Sequence, residues 1–223
     1  MAVDEAARLA RKAARQQERR ERILAAAAAV LAREGVAGLS AAAIAREANM
    51  AAPGLYHYFE SLDEVVVALA DRVMSEHFVR LEAAIDEAPD AVSALEALLR
   101  ERVAQYTRDP AGYGVMQAAV QSGSLGRRFL EALVFPASAR INGRLEARLL
   151  AEQAEGRLHP ELQPRLVANL VFLTADGIVG MAATMSRMGG SLRAPIEALV
   201  DEAVAQLRRG CAPAQEDARQ ERG

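Results

Sequence analysis

Residues 40–61 read SAAAIAREANMAAPGLYHYFES, and they decide the fold. Ser40 is a helix-capping residue type, because its hydroxyl oxygen can accept a hydrogen bond from a first-turn amide. Behind it Ile44 and Ala48 fall on one helical face, which predicts a short helix from Ala41 to Ala48. Asn49-Met50 leaves room only for a tight connection. A second short helix is expected over about 51–57, with Pro53 in its first turn, where a missing amide costs no intrahelical bond. Ser61-Leu62-Asp63-Glu64 is a capping box, and it opens a long helix through Val65, Leu69, Val73, Phe78, Leu81 and Ile85 toward Pro89.

Upstream, Ile23, Leu24, Ala27, Val30 and Leu31 recur at i, i+1, i+4, i+7 and i+8. They form one face of a helix from Gln17 to Glu34, which Gly35 and Gly38 bring to an end. Three helices, the last two joined by a tight turn, describe a helix-turn-helix module over 17–64. Such a module sets its last helix in the DNA major groove and lays the preceding one across the backbone.

Net charge of −3 argues against nucleic acid, but its distribution argues for it. Residues 8–22 hold Arg8, Arg11, Lys12, Arg15, Arg19, Arg20 and Arg22 against Glu18 and Glu21, a local +5. A basic segment ahead of a neutral-to-acidic body is the pattern of an arm that reaches nucleic acid. Charge alone also fits a plain solvated helix start. Residues 1–16 have mixed charge and few large apolar side chains, so they are expected as a basic, disordered arm.

Composition sets the class of the remainder. Alanine fills 49 of 223 positions and leucine 25, while Phe and Tyr total nine and Trp is absent. That mixture favours helices over strands, so the fold class is all-α. Further helices are expected at 90–107, 113–121, 125–154 (kinked or split at Pro136), 162–188 and 195–209. Residues 211–223 are expected as a polar, disordered tail. A single cysteine, Cys211, leaves no disulfide and no cysteine-based zinc site, and suggests a reducing, cytoplasmic compartment. Residues 166–185 approach the length of a membrane span, but Asp176 and Asn169 inside them point to a buried helix, and no membrane partner is expected.

Three of the nine aromatics crowd into Tyr56-His57-Tyr58-Phe59. Phe59 has no polar atom and is assigned to the core. Tyr56 shares its face at helical spacing, yet the phenol of Tyr56 and the imidazole of His57 can donate to phosphate oxygens and are read as DNA contacts.

From Ser40 to Met50, and again from Leu55-Tyr56-His57-Tyr58-Phe59 to Ser61, the chain closely resembles the DNA-binding region of the TetR/AcrR family of bacterial transcriptional regulators. The resemblance covers about 17–64. It implies a three-helix DNA-binding domain there, followed over 65–210 by a roughly six-helix ligand-binding and dimerisation domain. It further implies a dimeric repressor on a pseudo-palindromic operator in double-stranded DNA, released by a small-molecule inducer and paired through its last two helices. The DNA-contacting positions it implies are Arg19, Ser40, Ala42, Ala51, Ala52, Pro53, Gly54, Tyr56 and His57.

Three positions depart from the family pattern. Ala42 stands where the family often has Arg, Ala51 where Ser or Thr caps the recognition helix, and Leu62 where Lys meets phosphate. With few long polar side chains on 51–54, recognition is expected through thymine methyls at Ala52, backbone approach at Gly54 and the basic arm in the minor groove. The same departures leave a second function open: a helical small-molecule or acyl-chain binding protein with weak or non-specific DNA binding.

Pocket candidates are Tyr113, Met116, Phe129, Phe172 and Met181, together with Asp176. Asn169, Phe172 and Asp176 lie at i, i+3 and i+7, a polar stripe that is either a solvent face or a hook orienting a ligand. No catalytic residues, cofactor or metal are expected. His57, His77 and His159 lack metal-ligand spacing, and no phosphate loop or nucleophile elbow occurs.

Overall fold

The computed structural model describes residues 2–213, and every described element is helical. In order these are α1 (Ala2–Glu34), α2 (Ala41–Glu47), α3 (Ala52–Leu55), α4 (Leu62–Asp86), α5 (Ala91–Arg108), α6 (Pro110–Val120), α7 (Gly123–Phe129), α8 (Phe135–Ala154), α9 (Pro164–Arg187) and α10 (Ile196–Cys211). A 3-10 turn, Val36–Gly38, joins α1 to α2, and a π turn, Leu130–Val134, joins α7 to α8.

The chain packs as two compact units. One comprises α1 through Ser75 together with Ala111–Val134; the other comprises Glu76–Pro110 and the chain from Phe135 onward. Helix α4 runs from the first into the second at Ser75-Glu76. In the first unit α1 packs on α2 and α2 on α3. Ile23, Ala27 and Val30 of α1, Ile44 of α2, Leu55, Phe59, and Val65 and Leu69 of α4 are buried. In the second unit α5 packs against α8, α9 and α10, burying Leu95, Leu98, Leu99, Ile141, Leu145 and Leu149 with Ala175 and Val200. Arg148 of α8 donates to the carbonyls of Ile85 and Ala88, both at 2.7 Å, and so satisfies backbone groups at the end of α4. The Glu152 carboxylate accepts from the Ala91 amide at 2.8 Å, and Asp90 caps α5 by accepting from Ser93 at 2.7 Å.

Three expectations need correction. Residues 2–16 are not an irregular arm: α1 is one helix from Ala2. That stretch has no Gly or Pro and is rich in Ala and Arg, both strong helix formers, and it extends a helix whose nucleus is already held by the core. The recognition helix is four residues, Ala52–Leu55, rather than 51–57. Ala51 offers no side-chain cap, and Pro53-Gly54 is a weak helix former. The helix expected over 125–154 with a kink or split at Pro136 does divide there, in the π turn Leu130–Val134 just ahead of Pro136, whose ring nitrogen cannot donate to the carbonyl of Ala132. Finally, Cys211 closes α10 and is buried rather than opening a tail, while residues 214–223 of that expectation lie outside the described residues.

Candidate nucleic-acid interface

The helix-turn-helix of the first unit is set by caps and one cation. Ser40 Oγ accepts from the Ala43 amide at 3.1 Å and starts α2. Asn49 adopts a left-handed φ of 53°, a conformation its short polar side chain tolerates, and turns the chain into α3. Ser61 Oγ accepts from the Glu64 amide at 3.1 Å, and Glu64 Oε2 accepts from the Glu60 amide at 2.6 Å. Both arms of the expected capping box are therefore made, with the second shifted one residue upstream.

Arg20 of α1 ties this together. Its guanidinium lies 4.0 Å from the Phe59 ring centroid, donates to the Tyr58 carbonyl, and pairs with Glu64 at 3.2 Å. The turn after α3 is held from beneath by a ring face, a carbonyl and a carboxylate at once. The spacing carried a signal for it: Arg20 stands at i, i+3 and i+7 with the buried Ile23 and Ala27, whereas its basic neighbours on α1 are exposed.

The consequence is a division among the aromatics. Leu55 and Phe59 are buried, whereas Tyr56 is 51% exposed and His57 is exposed. Tyr56 and Phe59 do not share a face, because α3 ends at Leu55 and the following turn rotates Phe59 inward. Arg19, Ser40, Ala42, Ala51 and Pro53 are exposed, and Ala52 and Gly54 are half-buried. A Cβ added at Gly54 would stand 3.1 Å from the Met50 methyl, so this glycine also serves the packing between α2 and α3. Ala51, although in extended backbone suited to a cap, makes no side-chain hydrogen bond.

The six pocket candidates fall in both units. Tyr113, Met116 and Phe129 belong to the first; Phe129 is buried and the Tyr113 hydroxyl accepts from Gln117 Nε2 at 2.9 Å. Phe172, Asp176 and Met181 lie on α9 in the second, where Met181 is 52% exposed. Arg102 of α5 unites two of these, pairing with Asp176 and placing its guanidinium 4.0 Å from the Phe172 ring centroid. The polar stripe on α9 is thus a helix–helix contact.

His77 of α4 stands apart only in the structure. It is fully buried, with neither ring nitrogen hydrogen-bonded, and burial foremost, then Arg102, Arg80 and Arg108, lowers its pKa from 6.5 to about 3. It stays a neutral imidazole with a free donor and a free acceptor. Among the described residues no group of three or more His, Cys, Asp or Glu could hold a metal ion. Helix α9 has the length and hydropathy to cross a membrane by composition alone, yet packs on α5 and α8.

A helix-turn-helix with buried Leu55 and Phe59 beneath an exposed Tyr56 and His57 defines a DNA-binding module. Residues 23–69 match the family of bacterial regulatory proteins of the TetR type. An uncharacterized helix-turn-helix transcriptional regulator of Haemophilus influenzae is 42% identical over 67 residues, 30% of this chain, and the match spans only 36% of that relative's length. Among solved structures, a TetR transcriptional regulator from Chloroflexus aurantiacus superposes with a TM-score of 0.68 at 22% identity, over 90% of this chain and 99% of that one. The regulator FadR of Bacillus subtilis, solved with stearoyl-CoA, gives 0.62 at 20% identity over 85% and 98%. These structural likenesses establish the shared fold. Residues 23–69 thus carry the TetR-type regulatory region, and the chain as a whole shares the fold of these solved structures.

Proposed function

We propose that this protein is a dimeric transcriptional repressor, acting in the cytoplasm, that holds a pseudo-palindromic operator through Tyr56, His57 and the exposed ends of α2 and α3. A small, mainly apolar ligand releases it. The observation carrying the reading is the division on the Tyr56–Phe59 segment: one ring is locked into the core while a phenol and an imidazole are left on the surface to donate to phosphates. Ser40, Ala42, Ala51, Ala52, Pro53, Gly54 and Arg19 complete the surface facing DNA.

Dimerisation is supported by α9. Leu166, Leu170, Leu173 and Met181 are each more than half exposed and, with Gly177, repeat at i, i+4, i+7, i+11 and i+15. A continuous apolar stripe of this length marks a helix-packing face rather than a solvated one. This stripe supports a homodimer paired through the last two helices, with α9 supplying the apolar face.

Ligand response is supported by His77, whose unsatisfied nitrogens would orient one oxygen of an otherwise apolar molecule. Helix α4 carries both His77 and the Ser61 cap, so a shift of α4 on binding would be felt at the DNA-binding end. The stearoyl-CoA in the FadR structure makes acyl compounds the first ligands to screen.

The test is a mobility-shift assay on the DNA upstream of the protein's own coding region, at two salt concentrations and against scrambled competitor. Specific repression predicts a preference of at least about 1,000-fold for the operator and a steep loss of affinity with salt. The short α3 with its uncapped Ala51 favours one competing reading, an acyl-chain binding protein with residual DNA affinity. Equal affinity for scrambled DNA would establish that reading instead.

A further inference from the structure

We propose that α1 from Arg8 to Arg22 is a rigid basic rail that lies along the sugar-phosphate backbone flanking the operator and extends the contact beyond the helix-turn-helix. The proposal rests on the reading of the protein as a DNA-binding regulator. Arg8, Arg11, Lys12, Arg15, Arg19 and Arg22 sit at i, i+3, i+4, i+7, i+11 and i+14 of one continuous helix. At about 100° per residue they fall within an arc of about 100°, so all six line one face. All six are exposed, and none makes a hydrogen bond or ion pair with another described residue. Glu5, Glu18 and Glu21 fall outside the arc, and Glu21 accepts from Gln17 at 2.8 Å; Asp4, a turn ahead of Arg8, is the one acidic residue on its line. Arg20, off this line, turns inward to Phe59, Tyr58 and Glu64.

Six like charges at these spacings repel one another on an isolated helix. A polyanion laid along the stripe relieves the repulsion and releases counterions. The stripe rises about 21 Å from Arg8 to Arg22, which covers about six base-pair steps at about 3.4 Å each. An α-helix with side chains is about 10–12 Å across and the minor groove about 6 Å wide, so the helix cannot enter that groove as an extended arm would. Backbone phosphates are what it can reach. A lipid surface fits poorly, because Leu9 is the one large apolar side chain among residues 7–22 and no face exists to bury in acyl chains. The same helix supplies Ile23, Ala27 and Val30 to the core of the DNA-binding module, so the rail has a fixed direction relative to it.

The experiment uses the full-length chain and two variants. In Arg8→Gln/Arg11→Gln/Lys12→Gln/Arg15→Gln, four cations are removed from an exposed helix. In Ala13→Pro, all six remain but the helix is broken. Affinity is measured against salt on operator DNA with extended flanks, on the same fragment trimmed to its half-sites, and on scrambled DNA. The rail predicts that the quadruple variant flattens the log–log salt slope by about 3.6, at about 0.9 per phosphate, on flanked and scrambled DNA. The operator-to-scrambled ratio stays within about twofold, and trimming the flanks costs wild type the same increment. Ala13→Pro should lose at least about half of that slope change. An unchanged slope in the quadruple variant overturns the proposal, and wild-type behaviour of Ala13→Pro overturns its rigid form in favour of a flexible arm. Because the slope is also read on scrambled DNA, a wild type without operator preference defeats the repressor reading while the rail is still decided. Binding of wild type but not the quadruple variant to vesicles of 30% phosphatidylserine, with the DNA slope unchanged, assigns the stripe to membranes instead.

Discussion

Arg20 lies over the face of Phe59, its guanidinium carbon 4.0 Å from the ring centroid, while the same side chain donates to the Tyr58 carbonyl and pairs with Glu64. One residue of α1 thus fixes the turn that leaves Tyr56 and His57 on the surface. With about a third of the side chain exposed, the ion pair counts for little; the stacking and the carbonyl bond dominate. Arg20→Ala should destabilise the protein by about 2 kcal/mol in urea unfolding. Arg20→Lys keeps the charge but not the plane and should recover less than half of that loss. A loss below about 0.5 kcal/mol for the alanine variant would show that the turn is held by other contacts.

The two rings on the segment should separate stability from binding. Phe59 is 1% exposed, and Phe59→Ala is expected to cost about 3–5 kcal/mol. Tyr56→Phe, at an exposed position, should leave stability within about 0.5 kcal/mol and weaken operator binding about fivefold by removing one donor. Loss of stability in Tyr56→Phe, or unchanged affinity, would remove the phenol from the DNA contact.

Ala51 already has the extended backbone of a cap (φ −74°, ψ 139°) but no side-chain acceptor. Ala51→Ser should cap α3 and stabilise the protein by about 1 kcal/mol, a rise of about 2–4 °C in Tm. Operator affinity should rise with it, because α3 is ordered before it meets DNA. A thermal melt and a binding isotherm on the same preparation check both.

His77 makes stability depend on pH in a defined direction. Its folded pKa is lowered to about 3 from 6.5, chiefly by burial, so the native state keeps it neutral while the unfolded chain takes up a proton below about pH 6.5. The contribution is complete above pH 6.5 and is lost as pH falls from there toward 3, at up to about 1.36 kcal/mol per unit. His77→Leu should flatten this part of the curve and, by removing two unsatisfied polar atoms, leave stability at pH 7 equal or higher. A variant that retains the wild-type slope between pH 6.5 and 4 would assign the dependence to other groups.

The helix-turn-helix was legible in the sequence because each of its decisions is local. Ser40 and Ser61 act within three residues of themselves, and the spacing of Ile23, Ala27 and Val30 marks the buried face directly. The extent of α1 was not legible from that spacing: residues 2–16 have no apolar face, and propensity plus continuity with a held helix decided them. Arg20 on Phe59 and Arg102 on Phe172 and Asp176 join residues 39 and at least 70 positions apart, which no periodic pattern encodes. His77 reads as an ordinary core position on α4, and only its lack of hydrogen-bond partners sets it apart.

Repression as proposed requires sequence-specific binding by a symmetric pair of these modules. Hydroxyl-radical footprinting of the upstream DNA tests it most directly. A symmetric pair of modules gives two protected half-sites of inverted sequence, their centres about 34 Å or one helical turn apart or a multiple of it, with protection lost in Tyr56→Phe/His57→Ala. Uniform protection across the fragment, unchanged by those substitutions, would contradict it.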